Sequence, residues 1–81
     1  MQLTNAQKAT RYMATEAEHV RRLMQSRDIS DATAYRMMLA ARAQALQFFD
    51  PHTDRGSIVV QVHRGCVHFQ VYDYFHPHTN A

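Results

Sequence analysis

Apolar residues in the first third of the chain recur at steps of three and four residues. They are Ala6, Ala9, Met13, Ala17, Val20 and Met24. Such steps place side chains on one face of an α-helix, so the pattern predicts a helix over residues 5–26 with a single buried face. Thr4 and Gln7 have the spacing of a capping box, which predicts where this helix begins.

A second helix is predicted over residues 31–49. Ser30 or Asp31 can cap its start, and Pro51 ends it because a proline ring disfavours helical geometry in the preceding residue. Apolar side chains cover more than half of its circumference; they are Ala32, Ala34, Tyr35, Met38, Leu39, Ala41, Ala45, Leu46, Phe48 and Phe49. So wide an arc predicts that this helix is the central element of the fold and packs against at least two surfaces.

Arg42 lies in the middle of the apolar arc of the second helix. An unpaired charge there would be costly, so we expect its guanidinium either to extend to an edge of the arc or to meet a carboxylate. Glu16 flanks the apolar stripe of the first helix and is the predicted partner in a structural ion pair with Arg42.

Beyond residue 56 the apolar period changes from 3.6 to two, which predicts strands over residues 57–63 and 66–75. Arg64 and Gly65 form the predicted two-residue turn. This register places apolar residues opposite one another in three same-face pairs, which are Val62–Val67, Val60–Phe69 and Ile58–Val71. A slip of one residue would destroy the match, so the register is well specified.

The predicted fold class is therefore α+β, in the order α-α-β-β. Two antiparallel helices pack on one face of a C-terminal two-stranded antiparallel hairpin, within one domain over residues 1–81 and with a frayed tail at 76–81. The apolar content relies on eleven Ala and five Met rather than on large aliphatic residues. A core of this size supplies only about 3–5 kcal/mol. A thin core and two open sheet edges predict association with a partner, most simply as a homodimer.

Cysteine content and hydropathy indicate the compartment. Cys66 is the only cysteine, so the chain cannot form an internal disulfide. No apolar run is long enough to span a membrane, and the N-terminus lacks the apolar segment of a signal peptide. We therefore expect a cytoplasmic protein that does not enter a membrane.

The outer face of the predicted hairpin carries a candidate metal site. His63 and Cys66 face each other across the turn, and His68 lies on the same side, so imidazole and thiolate groups could together hold Zn²⁺ or a copper ion. A fourth ligand would come from His52, Asp54, His76 or His78. Alternatively, these side chains are the solvated face of the sheet and no cofactor is bound. Catalysis by Cys66 with a histidine is not expected, because no oxyanion hole or third orienting group accompanies the pair.

Nucleic-acid binding is an alternative function. Lys8, Arg11, His19 and Arg22 share one face of the first helix, and Arg55 and Arg64 could add a basic wing. The formal net charge is only +2, however, and a helix-turn-helix unit would need a further helix before the wing.

The favoured function is that of a non-enzymatic protein-binding module. Tyr and Arg are common anchors of protein contacts, and Met suits adaptable interfaces. The candidate partner-binding residues are Arg11, Arg22, Arg64, Val59, Tyr72 and Tyr74. Short length without catalytic chemistry is typical of small phage and mobile-element inhibitors, including anti-CRISPR proteins, so we expect inhibition or modulation of a partner protein by surface occlusion.

Overall fold

The computed structural model describes residues 2–73. Helices α1 (Asn5–Gln25) and α2 (Asp31–Leu46) precede strands β1 (Gly56–His63) and β2 (Cys66–Asp73). The strands form a two-stranded antiparallel sheet, so the predicted α+β class and the order α-α-β-β are confirmed. Within the described residues, neither helix is long and apolar enough to cross a membrane.

Helix α1 begins with the predicted capping box. The Thr4 hydroxyl accepts a hydrogen bond from the Gln7 N–H at 3.0 Å, and the Gln7 side-chain oxygen accepts one from the Thr4 N–H at 2.8 Å. Two of the amide groups that a helix start leaves without partners are thereby satisfied.

The C-terminus of α1 closes in a Schellman motif. The Asp28 N–H donates to the Leu23 carbonyl at 2.9 Å, and the Arg27 N–H donates to the Met24 carbonyl at 3.1 Å. This geometry puts Arg27 in the left-handed region with φ 64°, a position that glycine usually occupies. Arg27 therefore carries backbone strain that glycine would not.

We expect Arg27→Gly to raise the free energy of unfolding by about 0.5–1 kcal/mol, because glycine adopts positive φ without a steric penalty. Urea denaturation followed by circular dichroism measures the change. Arg22→Gly, inside the helix, is the matched control and should lower stability by about 1 kcal/mol. A loss of stability in Arg27→Gly would mean that the arginine side chain makes a compensating interaction.

Helix α2 begins as predicted but ends at Leu46 rather than at residue 49. The Phe48 and Phe49 N–H groups donate to carbonyls three residues back, at 3.1 and 3.2 Å, so the chain tightens into a turn before Pro51. The turn sends the Phe48 ring to the edge of Tyr12, with ring centroids 6.1 Å apart. The prediction of helix over 47–49 was wrong, because these residues form a turn from which Phe48 packs against Tyr12.

The hairpin has the predicted register, with the three apolar pairs opposite one another on one face. Arg64 and Gly65 both have positive φ, 51° and 78°, as a two-residue type I′ turn requires. The described part of β2 ends at Asp73, so the predicted continuation to residue 75 and the tail at 76–81 lie outside the described residues.

The core lies between the helix pair and the apolar face of the hairpin. Its buried members are Ala9, Met13, Ala17, Val20, Ala34, Met38, Ala41, Ala45, Ile58, Val60 and Val67. Helix α1 packs against α2 and β2, whereas α2 packs against α1 and β1. Each helix therefore covers one strand, and α2 is not more central than α1, contrary to the prediction.

The Asp54 carboxylate connects the start of α1 to the loop before β1. Asp54 Oδ2 accepts hydrogen bonds from the Asn5 side-chain amide at 2.6 Å and from the Asp50 N–H at 3.0 Å. Both bonds favour the charged form, so they hold the pKa of Asp54 below the usual range of an aspartate, the Asn5 bond contributing most.

This depressed pKa predicts a loss of stability in acid. The Asp54 contribution should be complete above about pH 4 and should disappear as the pH falls through the lower pKa of the folded state, because protonation removes the acceptor charge. Urea midpoints measured from neutral pH down to the acid limit should fall more steeply for the native protein than for Asp54→Asn. Glu16→Gln, which also removes one carboxylate, should keep the native slope.

Candidate functional site

The hydrogen-bond pattern of the hairpin determines which backbone groups face outward. Across a two-residue turn, His63 and Cys66 exchange both of their backbone hydrogen bonds, and such pairs alternate with unbonded pairs along an antiparallel ladder. Ile58, Val60 and Val62 belong to the unbonded pairs. Their N–H and C=O groups therefore point away from β2, along the free edge of β1.

Each helix sends one arginine to the free edge of the strand that it covers. Arg42 Nε of α2 donates to the Ile58 carbonyl at 2.6 Å, and Arg21 Nη2 of α1 donates to the Val67 carbonyl at 2.7 Å. Both carbonyls are outward-facing acceptors at an edge, and bonds from charged donors are stronger than neutral ones. The two arginines thus cap one carbonyl on each edge of the sheet.

The predicted Glu16–Arg42 ion pair is wrong. Arg42 turns towards β1 and bonds to the Ile58 carbonyl, whereas Glu16 lies beside a shallow depression between α1 and α2 that Met37 also lines. A salt bridge joins Arg22 to Glu18 at 3.2 Å, on the exposed face of α1. A backbone carbonyl therefore replaces the expected carboxylate as the partner of Arg42.

The positions of these arginines show that the helices extend beyond the sheet. Packed helices lie about 8–10 Å apart, whereas neighbouring strands lie about 4.8 Å apart, so one helix spans two strands. Here two helices cover two strands, and each sends an arginine to a carbonyl on an outer edge. The space beneath the outer side of α2, next to β1, is therefore wide enough for one more strand.

The outer side of α2 is apolar and uncovered. Tyr35 and Leu39 precede Arg42 by seven and three residues, so the three side chains share one stripe of the helix. Tyr35 is 42% exposed and Leu39 is 36% exposed. Part of the wide apolar arc of α2 is thus left open by the chain itself.

A groove of about 790 Å³ lies beside the free edge of β1 and opens to solvent. Its lining residues are Tyr35, Val60, Gln61, Val62, His63, Arg64, Cys66 and His68. Within the described residues, the backbone groups of Val60 and Val62 that face this groove have no partner strand. The described lining residues include no carboxylate. Arg64 lines the groove at the hairpin turn, and Arg42 lies beyond its other end, bonded to the Ile58 carbonyl two residues before Val60. We call this site, made of the β1 edge and the Tyr35–Leu39 stripe, the β1 groove.

The candidate partner-binding residues do not form a single surface. Val59 and Tyr72 share a hollow of about 180 Å³ on the outer face of the hairpin. Arg64 lies at the hairpin turn, in the β1 groove. Arg22 pairs with Glu18 on exposed α1, Arg11 lies about three turns earlier on that helix, and Tyr74 lies outside the described residues.

The residues of the candidate metal site are exposed on the outer face of the hairpin. His63 stands opposite Cys66 as expected, and His68 stands opposite Gln61. In the part of the chain that the structure describes, no three side chains of the ligand types gather into a group that could hold an ion. Because His76 and His78 lie outside that part, metal binding stays a prediction.

The sequence analysis did not identify the β1 groove as a site. Its signal was present, because Tyr35, Leu39 and Arg42 recur at helical spacing within an arc that was too wide to be covered. The direction in which Arg42 turns could not be read from that spacing. No protein-family model, no curated protein and no solved structure matches this chain.

Proposed function

We propose that this protein is a non-enzymatic protein-binding module that uses the β1 groove to hold a partner protein. The observation that carries the proposal is the uncovered Tyr35–Leu39 stripe beside a strand edge with unpaired backbone groups. Tyrosine and leucine supply apolar area, and the strand edge supplies directional hydrogen bonds. A surface that combines both is suited to a specific protein contact.

The setting of Cys66 supports a binding role over catalysis. Its thiol is exposed at the start of β2 next to the hairpin turn, where it lines the open β1 groove. Nucleophilic catalysis by a thiol needs an activating base and donors placed around the reacting carbonyl, in a site from which water is largely excluded. A free thiol also fits the cytoplasmic setting that we propose for the protein.

The proposed mechanism is occlusion. A small domain bound through the β1 groove would cover the surface of its partner that surrounds the docked segment, and so would inhibit or modulate that partner. This places the protein among inhibitors of the type that phages and mobile elements use, for which an anti-CRISPR role is one example. A homodimer that buries Val59 and Tyr72 would also cover Gln61 and His68, which line both sites, but would leave Tyr35 and the β1 edge accessible.

A paired substitution tests the proposed function. Tyr35→Ser combined with Leu39→Ser should leave the fold intact, because both side chains are exposed, and should abolish capture of the partner from a lysate of the native host. Val59→Ser combined with Tyr72→Ser is the matched control on the outer face of the hairpin. Equal capture by the native protein and the Tyr35/Leu39 variant, or a loss confined to the Val59/Tyr72 variant, would exclude the β1 groove.

A further inference from the structure

We infer that the β1 groove binds an acidic extended segment of the partner, which adds to the sheet as a third strand beside β1. The inference rests on the proposed function and specifies the chemistry of the bound segment. Its basis is that the free β1 edge, the space beneath α2 and the positive charge at both ends of the groove coincide.

The hydrogen-bond groups determine how such a segment lies. Val60 and Val62 each offer one N–H and one C=O to an antiparallel neighbour, so a strand centred opposite Gln61 would form four backbone hydrogen bonds. Arg42 already occupies the Ile58 carbonyl at 2.6 Å and limits the free edge on that side. The turn at Arg64 and Gly65 limits it on the other.

The faces of the sheet determine which side chains the segment carries. Residues opposite Val60 and Val62 would point to the helix side, beneath the Tyr35–Leu39 stripe, because directly opposed residues share a face. The residue between them would point to the outer side, next to exposed Gln61. The segment should therefore carry two apolar residues separated by one polar residue.

The positive charges of Arg64 and Arg42 favour acidic residues at the two ends of the segment. Positions three residues from its centre lie opposite Arg64 and opposite Ile58, where the Arg42 guanidinium sits. Among the described residues that line the groove there is no carboxylate. Aspartate or glutamate at both ends would complement this charge.

A second copy of the chain does not suit this edge. Two copies joined through their β1 strands would place both α2 helices above the same two strands, where the spacing leaves room for one helix. Each copy would also bring its own Arg42 and Arg64 to the positive ends of the groove. The β2 edge is less suited to binding an added strand. On α1, the exposed residue seven positions before Arg21 is Ala14, which offers little apolar area.

Binding of a synthetic peptide to the full chain tests the inference. The probe is Glu-Thr-Val-Thr-Val-Thr-Glu with blocked ends, measured by calorimetry and by NMR. We expect the amide signals of Val60 and Val62 to shift and their hydrogen exchange to slow. N-methylation of the two peptide valines should weaken binding at least about tenfold, because it removes two of the four hydrogen bonds. Replacing both glutamates by lysine should weaken it by a similar factor.

Protein variants provide the matching half of the test. Arg64→Glu should weaken binding of the acidic peptide about tenfold and should favour the lysine peptide, whereas Arg11→Glu, distant on α1, should change neither. Equal binding of the N-methylated peptide, or equal binding by Arg64→Glu and the native protein, would overturn strand addition.

Two further outcomes separate this inference from the proposed function. Absence of peptide binding, together with loss of partner capture by the Tyr35/Leu39 variant, would reject the acidic strand while retaining the groove as a protein-binding site. A concentration-dependent dimer in which the Val60 and Val62 amides are already protected without peptide would show that a second copy is the occupant, and would also overturn the inference.

Discussion

Met38→Ala is expected to lower the free energy of unfolding by about 2–4 kcal/mol. Met38 is fully buried and is one of the two largest fully buried side chains, and most of the other buried core residues are alanine and valine. Small neighbours with short side chains cannot move far enough to fill the cavity. Because a domain of this size has only about 3–5 kcal/mol of stability, the variant should be largely unfolded at physiological temperature.

Urea denaturation and thermal melting followed by circular dichroism measure this effect. Met37→Ala is the matched control, since Met37 is the adjacent residue, has the same chemistry and is only partly buried. It should cost less than Met38→Ala, about 1 kcal/mol, because part of the Met37 side chain is already in contact with solvent. Similar costs for the two variants would show that the core does not lie where the buried positions of α2 indicate.

Removing both edge-capping arginines should have the second largest effect. We expect Arg21→Met combined with Arg42→Met to lower the free energy of unfolding by about 2–3 kcal/mol in total. Methionine keeps much of the alkyl packing but leaves the Val67 and Ile58 carbonyls without their charged donors. The two sheet edges would also become better templates for pairing with other chains, so the variant should self-associate.

Denaturation and sedimentation velocity measure the two parts of this effect. Arg11→Met combined with Arg36→Met removes the same charge from exposed helix positions and is the matched control. That control should stay within about 0.5 kcal/mol of the native protein and keep its sedimentation behaviour. If both double variants behave alike, the capping bonds contribute nothing beyond charge.

The features that the sequence predicted well depend on local rules. The capping box at Thr4 needs only a spacing of three residues, and the hairpin register follows from apolar pairs around a two-residue turn. Without the capping box, amide groups at the start of α1 would lack partners. A hairpin shifted by one residue would expose its apolar pairs. These elements therefore depend on neighbouring residues and not on packing between elements.

The features that were missed depend on packing between elements. Arg42 lies on the side of α2 that packs near β1. No sequence spacing indicates whether its guanidinium bonds there to a carboxylate or to a backbone carbonyl. Likewise, the contact between the Phe48 and Tyr12 rings joins two separate elements, so no local sequence pattern indicates it. The β1 groove exists because a layer of two helices is wider than a sheet of two strands. This difference in width depends on how the elements pack together.

The contact between α1 and β2 joins the first and last described elements of the fold. Roughly 40 residues separate Gln25 from Cys66, which at about 5–20 residues per second is a delay of several seconds in synthesis. During that interval the side of α1 that β2 later covers stays in water, even if α2 has already docked. Chaperones that recognise apolar helices would thus meet the nascent chain in this interval, and a ribosome stalled before Cys66 would display a half-finished molecule to them.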